Sequence, residues 1–191
     1  PEGLIVAADV EDGLAQRFPG AVPHPSAWAV GATGDPRRAR LQGLAVGAAC
    51  RRMGIHLAFA PVVDVNSNPL NPIINTRSFG EDPRLVARMG AAWIRGCQAA
   101  GVLACAKHFP GHGDTRTDSH DRLPSVTCDR RTAWKRELVP FRAAARARVA
   151  SVMTAHVAFP ALDGRRLPAT LSRRLVTGIL VGTGREQKAV Y

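Results

Sequence analysis

Residues 107–115 read Lys-His-Phe-Pro-Gly-His-Gly-Asp-Thr, and Asp118, Ser119 and His120 follow shortly after. Two glycines and a proline allow a tight, exposed turn, and several ionisable side chains project from it. A carboxylate two residues from a histidine can accept the imidazole N–H and raise its basicity. The opposite ring nitrogen then handles a proton near neutral pH. Asp118 with His120 is therefore a candidate acid/base pair, suited to protonating a leaving oxygen and later activating water. A polar surface loop is the plain alternative, and the density of ionisable groups argues against it. A metal site is the chemical rival, because His108, His112, His120, Asp114 and Asp118 are all potential ligands. Their spacing matches no common zinc pattern, and Lys107 beside His108 would repel a cation. No metal and no cofactor is expected.

Such residues need a scaffold, and the chain alternates strand and helix. Residues 4–8 form a continuous apolar run, as a strand covered on both faces would show. Asp35 as N-cap and Pro36 at the first helical position start a helix whose inner stripe is Leu41, Leu44, Ala45 and Ala48, and Gly54 stops it. Residues 55–64 read as a second buried strand, followed by a polar loop over 66–80. Asp82 and Pro83 repeat the start signal for a helix with Leu85, Val86, Met89, Ala92 and Trp93 inward, ended by Gly101. A third strand over 102–106 empties into the polar loop 107–121. A helix from about Asp129 to Arg148, a fourth strand over 150–154 and a helix begun at Ser172 complete the order. This βα alternation predicts an α/β fold, a parallel sheet with outer helices. The lack of G-x-G-x-x-G after the first strand disfavours a dinucleotide-binding sheet. Polar residues recur at strand ends: Asp9, Glu11 and Asp12; Asp64; Lys107 and His108; His156. Barrels assemble their sites at that end. The expectation is a partial TIM-type (β/α) barrel, with about half of the barrel present.

Composition bounds the function. The chain has 191 residues, short of the about 250 of a whole barrel. With 46% hydrophobic and 21% charged residues it has the composition of a soluble globular protein. No apolar run is long enough for a membrane span. The net charge of +11 raises a nucleic-acid or anionic-surface partner. The basic residues are nearly all Arg and scattered, however, and the densest group (Arg130, Arg131, Lys135, Arg136, Arg142, Arg146, Arg148) falls on one helix. A solvated helix face is the reading, and no nucleic-acid partner is expected. Cys50, Cys97, Cys105 and Cys128 form no C-x-x-C pair and read as buried thiols.

The segment from Lys107 to Thr115 with Asp118-Ser119-His120 resembles glycoside hydrolase family 3, in particular its β-N-acetylglucosaminidase branch. Three further segments agree in order and spacing: residues 8–13 with 16–20; residues 60–66 with 75–83; and residues 153–163 with 167–172. The resemblance covers roughly residues 1–180, and several long motifs agreeing together make it specific. It implies that Asp9 and Arg17 hold the hydroxyls of a terminal sugar. Arg77, Lys107 and His108 would ring the same sugar. His120 would be the general acid/base with Asp118 as its partner, in place of the Glu used by most glycosidases. The implied reaction is retaining hydrolysis of terminal β-linked N-acetylglucosamine from cell-wall fragments or chitooligosaccharides, through a covalent glycosyl-enzyme. A small carbohydrate is thus the expected partner. Alternatives are a β-glucosidase or β-xylosidase of the same family, or a sugar-binding remnant without chemistry.

Several positions stay open at this level. Asp64 is as well read as a loop-fixing acceptor as a ligand. Arg77 has Glu81 and Asp82 as possible local partners, and His156 reads better as a supporting residue than as a contact. The family usually has Gly where Asp12 stands. The expected domain is a partial family 3 barrel over 1–180, with a divergent tail over 181–191. The family's nucleophilic Asp follows the next strand and has no counterpart here, so the chain alone is expected to be inactive.

Overall fold

The computed structural model describes residues 3–116 and 123–182. Four parallel strands, β1 (Ala7–Ala8), β2 (Leu57–Ala58), β3 (Leu103–Phe109) and β4 (Ser151–Thr154), lie side by side in chain order. A doubly wound sheet reverses its strand order at a switch point. The unbroken order β1-β2-β3-β4 instead is that of a (β/α) barrel wall, and four strands are half of the eight in a closed one.

The helices are α1 (Ala27–Ala32), α2 (Pro36–Arg52), α3 (Pro83–Ala99), α4 (Arg130–Thr132), α5 (Leu138–Arg146) and α6 (Pro160–Asp163). A π-helical turn, Ala133–Glu137, joins α4 to α5, and a second π-helical stretch, Arg174–Leu180, is the last element among the described residues. Local chemistry sets the starts. Asp35 accepts from the Arg37 N–H, Asp82 from Arg84 and Leu85, and Asp129 from Thr132. Gly54 and Gly101, at φ 73° and 82°, take the left-handed turn that follows α2 and α3. Ser172, expected to begin the last helix, accepts from the Leu175 N–H.

Two expectations need correction. First, the inner stripe of α2 is not Leu41, Leu44, Ala45 and Ala48. Leu41 is 64% and Leu44 42% exposed, while Ala39, Gln42, Gly43, Val46, Gly47 and Cys50 face inward. The reason is close approach. A Cβ on Gly43 would overlap the Trp93 carbonyl oxygen, one on Gly96 that of Arg40, and one on Gly47 would stand 2.8 Å from the Cys97 oxygen. Backbones this near exclude leucine from the seam, and the larger side chains turn outward. In α3 the expected Val86, Met89, Ala92 and Trp93 are buried.

Second, the run at residues 4–8 is not a covered strand. Only Ala7–Ala8 pairs as strand, and Leu4, Ile5 and Val6 are exposed. Val6 holds His56 and Leu57 through its carbonyl, but β2 is the only strand beside β1 among the described residues. The sequence reading named no element over 27–32, where α1 lies with the Ser26 hydroxyl as its cap.

β2 is shorter than the apolar run 55–64 because Pro61 has no N–H to give the ladder. Its neighbours still pair onward, with Ala60 and Pro61 carbonyls accepting from Cys105 and Lys107. β3 runs past the expected 102–106 to Phe109, so Lys107 and His108 belong to the strand's end.

Candidate active site

A cleft of about 650 Å³ opens at the C-terminal ends of the four strands. Asp9, Glu11 and Arg17 reach it after β1, Phe59 after β2, Lys107 and His108 from β3, Met153 and Thr154 from β4, and Ala155 and His156 just after β4. Arg77 comes from the loop before α3. Neighbours along a regular strand face opposite sides. Lys107 and His108 both line the cleft because the β3–β4 register shifts between Lys107 and Phe109, which lets one extra residue re-aim.

The floor is an ionic cluster. The Lys107 side chain is 2% exposed, and its Nζ lies 2.8 Å from Asp9 Oδ1 and 2.6 Å from Glu11 Oε1. Arg77 grips Glu11 with Nε and Nη2, both at 2.8 Å, and donates from Nη1 to the Ile73 carbonyl. The partner of Arg77 is therefore Glu11, not Glu81 or Asp82. Arg17, half-exposed at the rim, holds Asp9 Oδ2 at 3.2 Å. Burial pushes the Glu11 carboxyl up, but the bonds from Arg77 and the charge of Lys107 outweigh it and hold the group at about 2. Asp12, half-buried beside Glu11, is pushed up by its own burial and by that neighbouring charge.

Behind the floor, Asp64 fixes the start of the 107–116 segment. It is buried and accepts from the His108 N–H, the His112 N–H at 2.7 Å, and sits 2.7 Å from His108 Nδ1. Burial raises the Asp64 carboxyl, and the histidines with these donors more than reverse that. Asp64 is thus a loop-fixing acceptor, one of two roles open from sequence. Its grip on Nδ1 leaves the other nitrogen of His108, which lines the cleft, to meet a ligand.

His112 is fixed by the Thr115 hydroxyl at 2.8 Å, and Asn71 donates to both the His112 carbonyl and Thr115 Oγ1. Because Thr115 donates its own proton to the His112 carbonyl, His112 Nδ1 is the donor, and Nε2 carries the lone pair. Nε2 is buried with no partner among the described residues, and burial lowers the imidazole's proton affinity. His112 is neutral at the cleft wall. Sequence reading had His112 among the metal candidates and within the 107–115 motif, and Glu11 among the strand-end polar residues, but gave neither a role in the site. Glu11 meets Arg77 and Lys107 far along the chain, and Asn71 and Asp64, which fix the His112 backbone, are likewise far from it.

Further out, Asp114 takes Arg136 Nη2 at 2.6 Å, and Arg136 Nε bonds Glu137 Oε1 at 2.6 Å. The other Glu137 oxygen lies beneath Gly111 without a partner among the described residues, and burial pushes this carboxyl up to about 7. His156 Nδ1 rests on Thr170 Oγ1 at 2.8 Å, its ring exposed at the rim. Asp9, Arg17, Arg77, Lys107 and His108 are therefore brought together. Asp118 and His120, the expected acid/base pair, lie outside the described residues.

The arrangement is a cup of fixed donors and acceptors at the ends of parallel strands. The model of the glycosyl hydrolase family 3 N-terminal domain matches residues 1–183. The chain belongs to glycoside hydrolase family 3. It is 40% identical over 194 residues to "Beta-hexosaminidase A" of Pseudoalteromonas piscicida, covering 93% of this chain and 32% of that protein. It is 38% identical to "Beta-N-acetylglucosaminidase/beta-glucosidase" of Cellulomonas fimi, covering 93% of the chain and 31% of the relative. Among solved structures, a family 3 β-N-acetylglucosaminidase from Paenibacillus sp. str. FPU-7 superposes with a TM-score of 0.85 at 44% identity, over 94% of this chain and 34% of that one. The chain thus spans about a third of the length of these relatives. No helix among the described residues is long and apolar enough to cross a membrane.

Proposed function

We propose that the cleft takes the terminal sugar of a β-linked N-acetylglucosamine chain and belongs to a retaining β-N-acetylglucosaminidase. The observation that carries this is the ionic floor, in which Lys107 and Arg77 are held by Glu11 while Asp9 faces the cleft between Lys107 and Arg17. Such groups cost little reorganisation when a sugar arrives, because their geometry is already fixed. Asp9 accepts sugar hydroxyl protons; Arg17, Arg77 and Lys107 donate, and His108 offers the ring nitrogen that Asp64 leaves free. In the reaction, His120 gives its proton to the glycosidic oxygen as a carboxylate attacks the anomeric carbon, and the leaving alcohol departs. The imidazole, steadied by Asp118, then takes a proton from water, whose oxygen displaces the carboxylate and restores it. The attacking carboxylate is not assigned to these 191 residues, and the chain alone is expected to show no turnover.

The relatives' names support the N-acetyl preference, as does the Asp118–His120 pair. The Cellulomonas relative also bears a β-glucosidase name at 38% identity, which favours a glucoside as the second reading. Nitrophenyl substrates separate the readings. The chain alone should release no nitrophenol. Joined to the remaining strands of a family 3 barrel, it should cleave the β-N-acetylglucosaminide faster than the β-glucoside and lose that cleavage with His120→Ala. A faster glucoside reaction, or turnover that survives His120→Ala, would overturn the assignment.

A further inference from the structure

Away from the cleft, α2 and α3 lie against each other and carry eight arginines with no Asp or Glu: Arg37, Arg38, Arg40, Arg51 and Arg52 on α2, then Arg84, Arg88 and Arg95 on α3. All eight are exposed, and together they equal most of the chain's net charge of +11. The nearest acids in sequence precede the helices: Asp35 and Asp82 cap the N-termini with their side-chain oxygens, and Glu81 stands one residue before the α3 cap. At about 100° per residue, positions 37, 40, 41, 44, 51 and 52 fall on one stripe of α2, and 84, 88 and 95 on one stripe of α3. A groove of about 380 Å³ runs between them, where Arg37, Arg40, Leu41 and Leu44 face Gly96 and Ala99. The glycine seam turned Leu41 and Leu44 outward, so two large apolar side chains stand among the guanidinium groups. A randomly solvated face would mix both charge signs, and this one does not.

We propose that the outer face of α2 and α3 is a docking surface for an anionic phospholipid headgroup layer. The choice of occupant rests on complementarity. Uninterrupted positive charge selects an anionic partner and repels a second copy of the same face. A phosphate polymer would satisfy the arginines but leave Leu41 and Leu44 in water. At a bilayer surface the guanidinium groups meet lipid phosphates while the leucines enter the boundary with the acyl chains. This binding is peripheral and independent of sugar hydrolysis.

Flotation of the chain with vesicles of phosphatidylglycerol and phosphatidylcholine, against phosphatidylcholine alone, tests it. Binding should appear only with the anionic lipid. It should weaken sharply between about 0.1 M and about 1 M salt, as the screening length falls from about 10 Å to about 3 Å. Arg37→Glu with Arg40→Glu should lower vesicle affinity at least about ten-fold. Arg131→Glu with Lys135→Glu, the same change of charge on the helix after β3, should leave it within about two-fold. Circular dichroism confirms that both variants fold. Leu41→Ser with Leu44→Ser should weaken binding while keeping its salt dependence. No binding to anionic vesicles at low salt, equal losses in both charge-reversed variants, or tighter binding to duplex DNA than to the vesicles would each overturn the proposal.

Discussion

Cations serve opposite ends in the cleft and on the α2–α3 face. Lys107 is nearly inaccessible and touches two carboxylates, and Arg77 shares one of them, so every buried positive charge there has a partner. The eight arginines of α2 and α3 are exposed and have no acid on their own helices. Burial explains the difference. A charge removed from water must be paired at close range, whereas one left in water needs no partner and is screened. Charges that the fold must compensate lie in the cleft; charges it leaves uncompensated are available to something outside.

The largest effect should follow from breaking the pairing in the cleft. Glu11→Ala removes the contact shared by Lys107 and Arg77 and should cost about 3–5 kcal/mol in urea denaturation. A loss under about 1 kcal/mol would mean that water already compensates these cations, as it does on the outer face.

Acid and alkaline titration of stability comes next. Glu11 sits at about 2 against an ordinary 4.5, so its contribution is complete above 4.5 and is lost as pH falls toward 2. That is about 3 kcal/mol at most. Glu137, with one oxygen unpaired, is raised to about 7 from 4.5, so stability declines as pH rises from 4.5 through 7. Glu137→Gln should flatten the upper limb and Glu11→Gln the lower one. Unchanged limbs in thermal melts across pH would contradict the contrast between the two glutamates.

Smaller effects test the glycine seam. Gly43→Ala places a methyl against the Trp93 carbonyl and should destabilise by about 1–3 kcal/mol. Leu41→Ala, two positions earlier but outward, should cost less than about 0.5 kcal/mol. Reversal of that order would restore the leucine stripe as the buried face. Arg88→Ala should change stability least, within about 0.5 kcal/mol.

These contrasts also mark what the sequence could reveal. Asp35-Pro36, Asp82-Pro83 and Asp129 announced their helices because capping is decided within three residues. Strand ends showed where the cleft lies, and Asp9, Arg17, Arg77, Lys107 and His108 were named and do meet there. The inward face of α2 was misread because periodicity weighs apolar bulk, while the packing distance was set by Gly43, Gly47 and Gly96 on two helices. The Arg77–Glu11 bond joins residues 66 positions apart, and local Glu81 and Asp82 were the only partners that sequence offered. Glu137 in its π-helical turn gave no pattern at all. Asp118 and His120 were legible as chemistry, and their place in the site is open to measurement.

That measurement is an NMR titration of the chain with N-acetylglucosamine, following the backbone amides and histidine rings. The account predicts shifts at Asp9, Arg77, Lys107 and His108 together with the His120 imidazole, all saturating at one ligand concentration and abolished by Asp9→Ala. Shifts that spare the His120 ring, or that map to residues away from the strand ends, would contradict it.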